Sequence, residues 1–134
     1  MEWMLLPLKR YADFGGRSSR REYWMFALLH ATIGLLLYVP IIGALLAAPT
    51  NEPPTMLGVV LPLFLLYMLV MFVPALAVQV RRLHDLDKSG WLLLLGFIPF
   101  IGVFVLLYFM CIEGTRGPNR YGQDPRTDAT IFSA

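Results

Sequence analysis

Three long apolar runs dominate the chain, with short polar segments between them. Residues 23–51, 53–80 and 89–112 contain no Lys, Arg, Asp or Glu. None carries a polar face at helical spacing, as a surface helix of a soluble domain would. A bilayer core of about 30 Å is crossed by roughly 20 apolar helical residues, and each run exceeds that. The pattern predicts three membrane segments, at about 23–48, 56–80 and 91–112. Pro40 lies inside the first, and Pro62 and Pro74 inside the second.

The polar segments complete the picture. In residues 1–22, Trp3, Leu5, Leu6, Leu8 and Tyr11 interleave with Lys9 and Arg10. That mixture suits a segment lying on the membrane surface, and equally a plain tail. The run that follows is too long for the core of a cleaved signal peptide, so it reads as a retained anchor. Ser19 and Glu22 have the spacing of a capping box. Tyr23 and Trp24 follow as headgroup-level aromatics. Residues 49–55 are turn-formers, and 81–90 read as a short polar loop in which Ser89 caps the next segment. The expected organisation is a basic segment over 1–22, a membrane domain over 23–112 and an irregular polar tail over 113–134.

Composition strengthens the membrane reading. Hydrophobic residues make up 57% and charged residues 15%, against about 45–50% and 25% in soluble domains. The net charge is only +2, so its placement matters more than its size. Lys9, Arg10, Arg17, Arg20 and Arg21 precede the first segment, and Arg81, Arg82 and Lys88 follow the second. The 49–55 loop has no Lys or Arg. The positive-inside rule therefore predicts a cytoplasmic N-terminus and a cytoplasmic 81–90 loop. The tail conflicts with three plain crossings, because Arg116, Arg120 and Arg126 would then lie outside. One helix over 91–112 would measure roughly 33 Å, enough for a kinked span. Alternatively, Gly96 and Gly102 flanking Pro99 break the segment into a re-entrant hairpin, which is tolerated where protein covers the freed backbone groups. Both readings stand at this point. The expected fold is an all-α membrane protein: a small helical bundle with three membrane segments, the third a kinked span or a re-entrant hairpin at Pro99.

Three polar signatures hold the candidate chemistry. The first runs from Phe14 to Trp24 and supplies Arg17, Arg20, Arg21 and Glu22 just outside the first segment. An arginine fork suits phosphate, and each basic residue near an anionic leaflet contributes about 1 kcal/mol. The second runs from Gln79 to Trp91 and supplies Arg81, Arg82, His84 and Asp85. Arginine is costly inside the bilayer, which places these residues at its edge. The third, Asn119 to Pro125, supplies Asn119, Arg120 and Asp124 in turn-forming sequence. These eleven residues are candidates for headgroup or partner binding. His30 is the one histidine inside an apolar run, suited to bonding a neighbouring helix. Gln79 suits the same task, and Gly43 with Ala47 hints at a helix contact. Cys111, the single cysteine, reads as a small packing residue.

Together the signatures resemble a bacterial membrane family known as domain-of-unknown-function family 805. The shared pattern is Phe-x-Gly-Arg-x-x-Arg-x-Glu-Tyr-Trp at Phe14–Trp24, Arg-Arg-Leu-His-Asp at Arg81–Asp85 with Ser-Gly-Trp at Ser89–Trp91, and Asn-Arg-Tyr-Gly-x-Asp-Pro at Asn119–Pro125. The resemblance extends from about Trp3 to Pro125. Leu92 departs from the second aromatic that many members carry after the tryptophan. The resemblance implies a small bacterial inner-membrane protein and no particular activity, substrate or cofactor.

The functional expectation is a non-catalytic scaffold, lipid-binding or accessory subunit. Alternatives are an oligomeric transporter or channel subunit, or a headgroup-level enzyme with His84 and Asp85 as acid–base partners. His84 and His30 fall short of a metal-ligand set, so neither metal nor cofactor is expected. Expected partners are the lipid bilayer, anionic lipids included, and a second copy or another membrane protein, with no nucleic acid.

Overall fold

The computed structural model describes residues 2–47 and 57–127. The 49–55 turn and the last seven residues of the tail lie outside them. The described elements are helices α1 (Glu2–Lys9), α2 (Arg20–Ala47), α3 (Leu57–Asp85), a 3₁₀ helix (Gly90–Phe97) and α4 (Ile101–Cys111). Among the described residues there is no strand, only a single antiparallel bridge between Asn119 and Gly122.

The chain divides into two compact units. One comprises Ala27–Val73, with the C-terminal part of α2 and the N-terminal part of α3. Its helices are long and apolar enough to cross a membrane. Leu36, Leu46, Val59 and Leu69 are exposed, and Leu46 reaches 83%. Water would not tolerate so much contiguous apolar surface. A helix that is apolar all round and unburied by protein belongs in lipid. Polar contacts join the helices within this unit: the Tyr67 hydroxyl meets His30 Nδ1 at 2.8 Å and donates to the His30 carbonyl at 3.4 Å, with the rings stacked 5.3 Å apart. His30 thus bonds a neighbouring helix, as its position in the sequence suggests. Gly43 has nothing within 4 Å of where a Cβ would sit.

The other unit comprises the residues up to Phe26 and those from Pro74 onward. Here α2 starts where Ser19 Oγ accepts from the Glu22 N–H at 3.2 Å. Only this half of the capping box forms, since the Glu22 carboxylate faces Arg81 instead. The expected loop over 81–90 is corrected. Helix α3 continues to Asp85 and ends where the Lys88 N–H reaches the Leu83 carbonyl and the Asp87 N–H reaches that of His84. Asp87 takes φ 55°, which makes this a Schellman ending. The charges at 81 and 82 mark the end of the apolar run. They do not end the helix, because both arginines are buried against partners.

The segment over 91–112 is not one helix. Ser89 caps its 3₁₀ helix through the Trp91 N–H. Ile98, before Pro99, is extended, as a residue preceding proline tends to be. Phe100 takes φ 63°, and α4 then folds back on the 3₁₀ helix. A Cβ on Gly102 would sit 1.7 Å from the Leu95 carbonyl oxygen, and one on Gly96 would sit 3.2 Å from Leu106 Cδ1. Both ends of the hairpin return to the last turns of α3. Gly90 packs on the Val80 side chain, and the Thr115 N–H donates to the Asp85 carbonyl at 2.8 Å. Eight residues of 3₁₀ helix and eleven of α-helix each rise about 16 Å, half the thickness of a bilayer core. The packing role expected of Cys111 is also corrected. Cys111 is exposed, and its neighbour Met110 turns inward at 2% exposure.

Candidate functional site

The three signatures converge around the end of α3, with the Asp85 carboxylate at the centre. Asp85, on the last turn of α3, accepts from Arg17 Nε at Oδ1 (3.0 Å) and from Arg82 Nη1 at Oδ2 (2.6 Å). Arg17 lies in the extended stretch before α2, where the Ser18 N–H donates to the Arg81 carbonyl at 3.1 Å. Its fork reaches on into the tail. Nη1 donates to the Gly117 carbonyl at 2.6 Å and Nη2 to the Thr115 carbonyl at 2.5 Å. Arg82 Nη2 donates to the Ile112 carbonyl. Thr115 Oγ1 donates to the Asp85 carbonyl at 3.0 Å. Asn119 Nδ2 donates to the His84 carbonyl at 2.9 Å. A Cβ on Gly114 would strike Asp85 Oδ2 at 1.8 Å, so glycine is what lets the tail reach the carboxylate.

Beside this cluster lies a second pair, Arg81 Nη2 and Glu22 Oε1 at 3.3 Å. Arg17, Glu22, Arg81, Arg82 and Asp85 are all at most 4% exposed. Buried charges of this kind persist only when paired and hydrogen-bonded. The work falls to two carboxylates and to the carbonyls of residues 77, 112, 115, 117 and 122, with Arg81 and Glu22 paired by charge and no hydrogen bond at Oε1 or either Nη.

His84 is placed differently. Its Nδ1 faces the Gly16 carbonyl at 3.2 Å, which favours the tautomer protonated there. Its ring stacks on Tyr121 at 3.8 Å and 4°. Arg120 lies over the Tyr121 ring at 4.8 Å and pairs with Asp87 at 3.1 Å. The Asp85 carboxylate is therefore held by arginines, and His84 is not its partner. Among the described residues, no three His, Cys, Asp or Glu side chains group as a metal would require.

Asp124 binds the Arg126 guanidinium, with Oδ2 to Nη2 at 2.8 Å, and accepts from the Gly117 N–H at 3.1 Å. The bond from Arg126 holds its carboxyl well below the usual carboxylate range. A depressed folded-state pKa adds stability above the ordinary carboxylate value of about 3.9, lost only as pH falls through the depressed value. The protection factor of the Gly117 amide, its exchange relative to the unfolded chain at the same pH, should therefore hold from neutral pH down to about pH 4. In Asp124→Asn, Gly117 protection should already be reduced at neutral pH. Equal protection in both proteins would refute this role for Asp124.

Arg20 and Arg21 remain exposed. Arg20 Nη1 donates to the Cys111 carbonyl at 3.2 Å, and Arg21 lies over the Trp3 ring at 5.9 Å. They edge a cavity of about 490 Å³ that Trp3, Ser19, Glu113 and Arg126 also line. Of the eleven candidates, Arg17, Glu22, Arg81, Arg82, Asp85 and Asp124 are buried, and His84 and Asn119 are half-buried. Only Arg20, Arg21 and Arg120 present exposed surface. Sequence reasoning missed Gly114, Thr115 and Gly117. They looked like generic turn residues, and their contribution is backbone.

A family model described as protein of unknown function (DUF805) matches residues 11–123. The chain is 48% identical to the inner membrane protein YhaI of Escherichia coli K12 over 127 residues, 94% of this chain and 97% of that protein. It is 41% identical to inner membrane protein YhaH of the same strain over 130 residues, 96% of this chain and 99% of that one. No solved structure matches. With the family model spanning residues 11–123 and the relatives matching almost the whole length, the chain belongs to the DUF805 family.

Proposed function

We propose that this protein is a non-catalytic component of the bacterial inner membrane, whose cytoplasmic face is a rigid scaffold that binds anionic lipid headgroups. Helices α2 and α3 cross the bilayer, and the segment over 91–112 enters and leaves by the same face. The N-terminus and tail are then both cytoplasmic, which removes the conflict posed by Arg116, Arg120 and Arg126. The observation that carries the reading is the cluster on Asp85, where one carboxylate ties Arg17 to the end of α3 and to the backbone near Thr115. A catalytic role for Asp85 and His84 finds little support, since two arginines occupy the carboxylate and the ring is stacked and bonded to Gly16.

Paired C-terminal fusions test the arrangement. A green fluorescent reporter should fluoresce, and an alkaline phosphatase reporter at the same residue should be inactive. An active phosphatase with a dark fluorescent fusion would place the tail outside and overturn the proposal.

A further inference from the structure

The lipid-facing reading can be narrowed to one site, and the following rests on it. Two cavities meet at the first turn of α2. The first, about 490 Å³, has Ser19, Arg20, Arg21, Asp85, Glu113 and Arg126 in its lining. The second, about 380 Å³, is lined by Arg20, Arg21, Trp24, Met25 and Cys111. Arg20 and Arg21 belong to both. The surface thus changes from charged to apolar across two arginines, as a phospholipid does between phosphate and acyl chain.

The charges favour an anionic occupant. Arg126 is matched by Asp124 and Glu113, and Asp85 by Arg17 and Arg82. Among the described side chains, no carboxylate pairs with Arg20 or Arg21. Each is nevertheless held in place, Arg20 by the Cys111 carbonyl and Arg21 by the Trp3 ring. An arginine fixed by one contact still offers N–H donors in a fork suited to phosphate oxygens. A zwitterionic headgroup would bring its ammonium against two guanidinium groups. A free phosphate would leave the groove at Trp24, Met25 and Cys111 uncovered. We infer that one anionic phospholipid binds here, its phosphate between Arg20 and Arg21 and one acyl chain along Trp24, Met25 and Cys111.

The test uses the full chain in nanodiscs of phosphatidylcholine with a minor fraction of phosphatidylglycerol. Native mass spectrometry counts retained lipid. Brominated acyl chains quench Trp24 in a background with Trp3→Phe and Trp91→Phe. The wild type should retain one phosphatidylglycerol, and brominated phosphatidylglycerol should quench Trp24 more than brominated phosphatidylcholine. Arg20→Gln with Arg21→Gln should weaken retention by about thirtyfold, the factor for two basic contacts of about 1 kcal/mol each. Both arginines are exposed, so the fold should survive, and the Arg20→Lys/Arg21→Lys protein should fall between the two. Displacement of the lipid by soluble glycerol phosphate would make phosphate the ligand and overturn the lipid site. If both brominated lipids quench equally while the glutamine variant still loses phosphatidylglycerol, the site fails and the broader headgroup reading stands. No preference for phosphatidylglycerol in the wild type would sink both.

Discussion

Asp85→Ala should destabilise the protein by about 3–5 kcal/mol, the range for removing one partner of a buried ion pair. The substitution leaves Arg17 and Arg82 buried and like-charged, at 4% and 0% exposure. It also loosens the tail, because the carboxylate is what holds Arg17 in position to donate to the carbonyls of Thr115 and Gly117. Thermal unfolding in detergent, followed by size-exclusion chromatography of the remaining monodisperse protein, measures the effect. Asp85→Asn keeps the shape and one acceptor oxygen but loses the charge and turns an NH2 donor toward one of the two arginines, so it should fall between the alanine variant and the wild type. Arg17→Ala added to Asp85→Ala should cost less than the sum of the single changes, with a coupling of about 0.5–3 kcal/mol. Additive losses would mean that Arg17 and Asp85 do not act as one unit.

The same cluster changes how the arginine-rich signatures are understood. A basic residue next to an apolar run is ordinarily a topology marker that stays in water or among headgroups. Arg81 and Arg82 are placed that way in sequence, yet neither shows surface. Their side chains are buried inside the protein, where carboxylates and main-chain carbonyls replace solvent. Arg20 and Arg21, one turn away from Arg17 in sequence, keep the exposed role. Two neighbouring arginine groups with one composition thus divide into structural and surface tasks. Exchanging Arg17, Arg81 or Arg82 for glutamine would test folding, whereas the same change at Arg20 and Arg21 tests binding.

Much of the framework was legible because its signals are local. The apolar runs locate α2 and α3 by length and lack of charge. Ser19 and Ser89 announce helix starts through bonds two or three residues away. His30 inside an apolar run needed a partner on another helix, and Tyr67 provides one. What stayed hidden depends on distant contacts. The extension of α3 to Asp85 follows from the pairing of Arg82 with that residue and of Arg81 with Glu22. Thr115 and Gly117 join the site through carbonyl oxygens that every residue has. Exposure of Cys111 follows from the rotation of α4, which buries Met110 instead. Gly-Phe-Ile-Pro-Phe-Ile-Gly over 96–102 signalled a break, and only the packing against Leu95 distinguishes a hairpin from a kink.

That packing makes Gly102→Ala the second severe substitution. A Cβ there would lie 1.7 Å from the Leu95 carbonyl oxygen and 3.2 Å from Gly96 Cα. Both are backbone atoms, so no rotamer change relieves the clash, and the first turn of α4 must move off the 3₁₀ helix. Overpacking costs typically about 1–3 kcal/mol and more where the backbone must shift, so this change belongs at or above the upper end. Gly96→Ala is the internal control. Its Cβ would meet Leu106 Cδ1 at 3.2 Å, the far end of a side chain that can rotate, and the cost should be small. Gly43→Ala, in open space within α2, should be neutral or should stabilise the helix by up to about 1 kcal/mol. The hairpin also predicts a change in reach. With α4 displaced, the tail loses its path back to Asp85, and amide exchange at Thr115, whose N–H donates to the Asp85 carbonyl at 2.8 Å, should speed up. If Gly102→Ala melts like Gly43→Ala and leaves that exchange unchanged, the two arms do not touch at Leu95 and the third segment is a single kinked helix.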